Sequence, residues 1–256
     1  RYSISGNSWT SLANYTIAYF GAQMLWNGSD NFIYLVRGQS TGFDRYSITG
    51  NTWSSMANIP AALPTGIAQT AALRYASEDY IYLFRGNGFT DFYRYSIAGN
   101  SWSSMASLPA AADIGIQAIR DGNSDYIYLV SGNGTNFYRY SISGNSWTSM
   151  AALPASISGT NAGAVHDEGS DYIYLLSNNS FYRYSITGNS WSTMASAAAV
   201  NPDYGSTLLH TAGEDIIYVT GEWQCCAPVK VWGYSISGNS WTSYYTVTAN
   251  NGGYGS

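Results

Sequence analysis

Arg139-Tyr-Ser-Ile-Ser-Gly-Asn-Ser-Trp147 decides how this chain is read, because the same nine-residue phrase occurs six times with small changes. The copies run over 1–9, 45–53, 94–102, 139–147, 183–191 and 233–241. Their tryptophans, Trp9, Trp53, Trp102, Trp147, Trp191 and Trp241, are 44, 49, 45, 44 and 50 residues apart. Tyr-Ser-Ile before the turn and Ser-Trp after it are short and β-favouring. The Gly-Asn between them tolerates positive φ, so the phrase predicts a tight antiparallel hairpin.

Moving outward, a second phrase alternates with the first: 31–36, 79–84, 125–130, 171–176 and 215–220. Each is built on Ile-Tyr-Leu or a close variant, and a glycine usually follows (Gly38, Gly86, Gly132, Gly221). Such short aromatic and β-branched runs predict strands. Ahead of them lie runs of small residues such as 66–73 and 115–119, which suit an innermost strand. Pro60, Pro64, Pro109, Pro154 and Pro202 mark links that leave the sheet.

One repeat is therefore four strands: A small and apolar, B the Ile-Tyr-Leu run, C and D the hairpin. A period near 45 residues is that of a propeller blade. Four antiparallel strands cannot bury both faces alone, so the blades must stack on each other. The expectation is a single all-β domain over 1–256, a β-propeller of four-stranded antiparallel blades with few helices.

Ile-Tyr-Leu followed by Gly, then Tyr-Ser-Ile, then Asn-Ser-Trp, then Met-Ala-x-x-Pro (Met56 to Pro60, Met150 to Pro154) resembles the Kelch family of propellers. The resemblance covers essentially the whole chain. The family's glycine pair after strand B is reduced here to Arg37-Gly38, Arg85-Gly86 and Ser131-Gly132.

The strands do not come out even. Six C–D hairpins face five A–B pairs, so five or six blades are expected. Three arrangements fit: a segment of a longer array, a ring closed by the first hairpin, or a half-blade completed by a neighbouring chain or repeat through strand addition.

Composition narrows the function. Charged residues make up 10% of the chain against about 25% in ordinary soluble domains, and the net charge is −5 with Lys230 the single lysine. Phosphate neutralisation needs clustered Lys and Arg, so nucleic acid is not an expected partner. No apolar run reaches the roughly 18 residues of a membrane helix. Poverty in Lys and Cys, with abundant Ser, Thr, Asn, Gly and Tyr, points to an extracellular or cell-surface protein. Asn14, Asn27, Asn133 and Asn178 stand in N-glycosylation triplets.

Candidates for chemistry are few. His166 and His210 fall near strand A of successive repeats, where a metal reading would add Asp113, Asp121, Asp167, Glu168 or Asp203. No fixed ligand spacing supports that reading, so no metal and no cofactor is expected. The Kelch resemblance raises copper-radical oxidases of the galactose oxidase type, which need two histidines, two tyrosines and a tyrosine-linked cysteine. Nothing in this chain falls into that arrangement.

Arg37 and Arg85 sit at equivalent places after strand B and are candidate ligand contacts, as are Trp223, Gln224 and Trp232 around the one insertion that the repeat does not explain. Cys225-Cys226 within it reads either as a vicinal disulfide or as two buried thiols. The repeats are nearly identical, whereas an active site needs unlike groups. The leading expectation is a non-enzymatic structural or interaction propeller: a unit of a surface layer, filament or adhesin. A carbohydrate-binding propeller is the alternative, and a glycosidase or oxidase comes third.

Overall fold

In a computed structural model the chain is all-β. The structure describes every residue except 16–18, 20, 29, 66–69, 76–77, 123, 158–161, 199, 201–206, 222–228 and 248–256. No helix occurs among the described residues. None therefore offers a membrane-crossing helix.

The chain forms two compact units, Arg1–Ser107 and Leu108–Ser256. The N-terminal unit opens with the hairpin β1 (Tyr2–Ser3) and β2 (Ser8–Trp9), a two-stranded sheet by itself. Two four-stranded sheets follow. The first is β3 (Gln23–Leu25), β4 (Phe32–Val36), β5 (Phe43–Ser47) and β6 (Thr52–Ser55). The second is β7 (Ala71–Arg74), β8 (Tyr80–Phe84), β9 (Phe92–Ser96) and β10 (Ser101–Ser104).

The C-terminal unit holds three such sheets. They are β11 (Gln117–Arg120) to β14 (Ser146–Ser149), β15 (Ala162–His166) to β18 (Ser190–Thr193), and β19 (Thr207–His210) to β22 (Ser240–Val247). Within them, β12 is Tyr126–Val130, β13 Phe137–Ser141, β16 Tyr172–Ser177, β17 Ser180–Ser185, β20 Ile216–Gly221 and β21 Val229–Ser235. Every neighbouring pair is antiparallel and consecutive in sequence, which is the A–B–C–D order expected of a propeller blade. The fold class is thus the β-propeller class, with five blades and one lone hairpin among the described residues.

Register explains why strand B is apolar throughout. In the N-terminal unit, Tyr34 and Val36 of the first blade pack with Ile81 and Leu83 of the second in one buried cluster. The C-terminal unit repeats the arrangement, with Tyr128 and Val130 meeting Ile173 and Leu175. Successive side chains of a strand point to opposite faces, so Ile and Leu face one neighbouring blade while Tyr and Val face the other. At β16 both faces are interfaces, Ile173 and Leu175 packing with Tyr128 and Val130 and Tyr174 and Leu176 with Ile217 and Val219, so a solvent-facing alternation does not develop there.

The hairpin turn divides its labour differently from the sequence expectation. Positive φ falls on the asparagine: Asn51, Asn100, Asn145, Asn189 and Asn239 lie at φ 43 to 50°. The glycine before each is needed for closeness. At Gly188 an added Cβ would stand 2.8 Å from Ser185 Oγ, the atom that accepts the Gly188 N–H at 2.9 Å.

Candidate functional site

The polar residues of the repeat go mainly into four recurring arrangements. In the first, the strand-C arginine lies over the aromatic ring that opens strand B. Arg45 covers Phe32 at 4.1 Å, Arg94 covers Tyr80 at 4.3 Å, and Arg139 and Arg183 cover Tyr126 and Tyr172 at 4.4 Å. The last blade replaces the pair by Gly233 and Ile216, and the Tyr244 ring occupies the place a side chain at 233 would take.

The second arrangement is an aspartate clasp. Asp171 Oδ2 accepts Ser185 Oγ at 2.6 Å and Thr187 Oγ1 at 3.0 Å, while Oδ1 accepts the Thr187 N–H at 2.8 Å. Asp125 does the same with Ser141 and Ser143, and Asp215 with Ser235 and Ser237. Hydrogen bonds to the charged form, led by those from Ser185, Ser141 and Ser235, hold these three carboxyls below the usual carboxylate range.

The third joins neighbouring blades. The hairpin asparagine and tryptophan seize one backbone residue of the preceding repeat, four places after that repeat's own tryptophan. Asn189 Oδ1 accepts the Ala151 N–H at 2.9 Å, and Trp191 Nε1 donates to the Ala151 carbonyl at 3.0 Å. Asn239 and Trp241 hold Ala195 likewise, as Asn100 and Trp102 hold Ala57, and Asn51 and Trp53 hold Ala13. The same asparagine oxygen accepts the hairpin tyrosine hydroxyl, from Tyr184 at 2.8 Å.

The fourth places the two histidines. Each ends a strand A and faces an acid in the A–B turn of the preceding blade: His166 Nε2 lies 3.4 Å from Asp121 and His210 Nδ1 lies 3.7 Å from Asp167. Arg74 holds this position in the second blade and pairs with Asp30. The histidines therefore fill the strand-A position that Arg74 holds in the second blade rather than standing outside the repeat. Each Nε2 also meets the carbonyl four residues on, Ser170 at 3.3 Å and Glu214 at 2.9 Å. Trp26, in the first blade, bonds the Asp30 carbonyl in the same way and is exposed.

Arg37 and Arg85 do share a position, and both are engaged inside their own blade. Arg37 pairs with the buried Asp44, Nη2 to Oδ1 at 2.8 Å, and Asp44 also accepts Tyr15 Oη at 2.5 Å and Ser55 Oγ at 3.0 Å. Burial pulls the Asp44 carboxyl up, but the bonds from Arg37, Tyr15 and Ser55 outweigh it and hold it low. Tyr15 is pushed up to about 12, first by burial and then by Asp44. Arg85 pairs with Asp91 at 2.8 Å and lies 3.6 Å from the centre of the Phe89 ring.

Trp232 is half-buried against the core of the last blades. Trp223, Gln224, Cys225 and Cys226 lie outside the described residues, as does Asp203. Asn14, Asn133 and Asn178 are exposed, whereas Asn27 is half-buried and accepts the Asp30 N–H. Asp113 holds Asn133 Nδ2 at 3.0 Å. Among the described residues no three His, Cys, Asp or Glu side chains gather as metal ligands would.

The fold and these arrangements define the class: a repeat protein built from β-propeller blades. No protein-family model matches the chain. No curated protein matches it either.

Proposed function

We propose that this chain is a non-catalytic, Kelch-like interaction propeller of the cell surface or extracellular space, a unit of a surface layer, filament or adhesin. The observation that supports this best is where the reactive side chains go. The repeat's aspartates clasp turns, its strand-C arginines stack on rings, and its histidines take the strand-A position that Arg74 holds in the second blade, each facing an acid of the preceding blade. The same residues do the same work in successive blades, so differentiation of one blade for chemistry is not what the sequence has been spent on. The extracellular placement rests on composition, with one lysine and two cysteines in 256 residues.

A carbohydrate-binding reading has one observation in its favour. Trp26 and Met24 are exposed together at the end of β3, 53% and 68%, and a bare indole face stacks on sugar rings. The two readings separate on a glycan array. The scaffold reading expects no saturable glycan retention, and no turnover of aryl glycosides or release of hydrogen peroxide from primary alcohols. Retention lost in Trp26→Ala selects the sugar-binding reading. Turnover lost in His166→Arg or His210→Arg overturns the non-catalytic one.

A further inference from the structure

The joints between blades hold a set of buried polar atoms that the four recurring arrangements leave over. Tyr34, Tyr128 and Tyr174 are each the third residue of their strand B, in β4, β12 and β16, and all three are fully buried. None of their hydroxyls has a hydrogen-bond partner among the described residues. Across each joint, the strand-A residue of the next blade carries a second such atom: Arg74 Nε, His166 Nδ1 and His210 Nδ1. Those side chains are 3%, 5% and 0% exposed. Two leftover atoms, one from each blade, therefore recur at three joints.

Shared neighbours place the two atoms of a joint together. Arg74 Cζ lies 5.0 Å from the centre of the Tyr34 ring. Burial raises the Tyr128 and Tyr174 hydroxyls, Arg139 and Arg183 oppose it, and Asp121 and Asp167, the same carboxylates that face the histidines, add to it. Arg139 and Arg183 themselves sit over the Tyr126 and Tyr172 rings and do not have bonding geometry to the hydroxyls.

The chemistry of the leftover atoms selects what fits between them. His166 Nε2 faces the Ser170 carbonyl at 3.3 Å and Asp121 at 3.4 Å, and His210 Nε2 faces the Glu214 carbonyl at 2.9 Å. Carbonyls and carboxylates only accept, so Nε2 carries the proton. In the neutral ring Nδ1 is then an acceptor, whereas Arg74 Nε at the same place is a donor. An anion has nothing to give a ring nitrogen, and a cation has no place beside a guanidinium. Water donates and accepts, so it serves all three joints. Buried waters make about three hydrogen bonds, typically to groups otherwise left unpaired. His210 Nδ1 and Asp167, 3.7 Å apart, also have a separation that a bridging water suits.

We propose that each of these three joints is a binding site for one buried water, held by the strand-B tyrosine hydroxyl of one blade and the strand-A nitrogen of the next. At Tyr128–His166 and Tyr174–His210 the hydroxyl donates to the water and the water donates to Nδ1. At Tyr34–Arg74, Nε donates to the water and the water donates to the Tyr34 hydroxyl. The water gives strand B a use for tyrosine over phenylalanine at a position without a partner among the described residues. The site stands apart from the interaction reading above, which holds or fails without it.

The test is a crystal structure of the full chain that shows ordered water, together with urea unfolding of Tyr34→Phe, Tyr128→Phe, Tyr174→Phe and the triple variant. One ordered water is expected at each joint, within about 3.2 Å of both named atoms. Each variant should have a lower urea midpoint than the parent. The losses should add in the triple variant, because the joints share no partner. A hydroxyl buried with no partner at all behaves in the opposite sense, and phenylalanine in its place is neutral or stabilising. Joints without ordered water, or midpoints that stay or rise in the phenylalanine variants, overturn the proposal. An anomalous peak at a joint after soaking in bromide or rubidium also overturns it, since the occupant is then an ion.

Discussion

At the scale of single residues, charge in this protein is scarce, and almost every described arginine and aspartate is committed to a partner. Asp44 shows what commitment means. It replaces the tyrosine that the next three blades carry after the buried phenylalanine, and it is 2% exposed. Such a carboxylate is tolerable only because three donors meet it. Asp44→Asn keeps the shape and removes the charge, leaving Arg37 without its ion. A loss of about 2 kcal/mol is expected, since hydrogen bonds to charged groups are each worth roughly 1.5–3 kcal/mol. Urea unfolding of the variant measures it, and a change under about 0.5 kcal/mol, the usual range of a surface substitution, would show that Asp44 is not a hub. The histidines invite the opposite test. Arg74 and Arg120 occupy their position in other blades, so His166→Arg should stay within about 1 kcal/mol of the parent in the same measurement. Collapse of folding in that variant would refute the assignment of His166 to the position that arginine fills in other blades.

At the scale of elements, the asparagine of each hairpin is the joint between blades. Asn189 adopts φ 43°, accepts Tyr184 Oη and accepts the Ala151 N–H. Asn189→Gly keeps the left-handed turn accessible while removing both bonds, which isolates the joint from backbone strain. Two orphaned groups at about 1–3 kcal/mol each predict a loss of some 2–6 kcal/mol, read as a lower urea midpoint. A loss no larger than that of an exposed-loop variant would mean that water replaces the joint freely. This joint marks the limit of what the sequence displays. Strands B, C and D are legible because each is a short β-favouring run bounded by turn residues. The count of five A–B pairs and six hairpins is legible too. The joint is not, because the residue seized is an ordinary alanine 38 to 46 positions away from its partners. Its only trace is the constant step of four from Trp9, Trp53, Trp147 and Trp191 to Ala13, Ala57, Ala151 and Ala195. The histidines look like outliers in the sequence for a related reason. Their position is defined by strand register, and Arg and His share it without resembling each other in sequence.

At the scale of the molecule, repetition turns a small local preference into a global dependence on pH. Asp125, Asp171 and Asp215 each close one clasp in successive blades of the C-terminal unit, and hydrogen bonds to the ionised form hold all three low. Asp30 and Asp44 of the N-terminal unit are also held low: burial pulls both up, and the hydrogen bonds to the charged form, led by those from Arg74 and Arg37, together outweigh it. A carboxyl whose folded pKa lies below its unfolded value of about 3.9 stabilises the fold fully at pH values above that range. As pH falls through the folded pKa the unfolded chain takes up protons first, and the contribution disappears. The stability that these carboxyls contribute should therefore be constant across neutral pH and drop steeply below about pH 4. Replacing all three clasp aspartates by asparagine should lower stability at pH 7 and flatten the acid limb, because the titrating groups are gone while the turns remain. Thermal unfolding followed by circular dichroism from about pH 7 down to about pH 2.5, a range that brackets the unfolded carboxyl pKa, reads both effects. A triple variant whose acid limb is as steep as the parent's would place the acid sensitivity elsewhere, in the Arg37–Asp44 and Arg74–Asp30 pairs, and Asp44→Asn would then be the variant that flattens it.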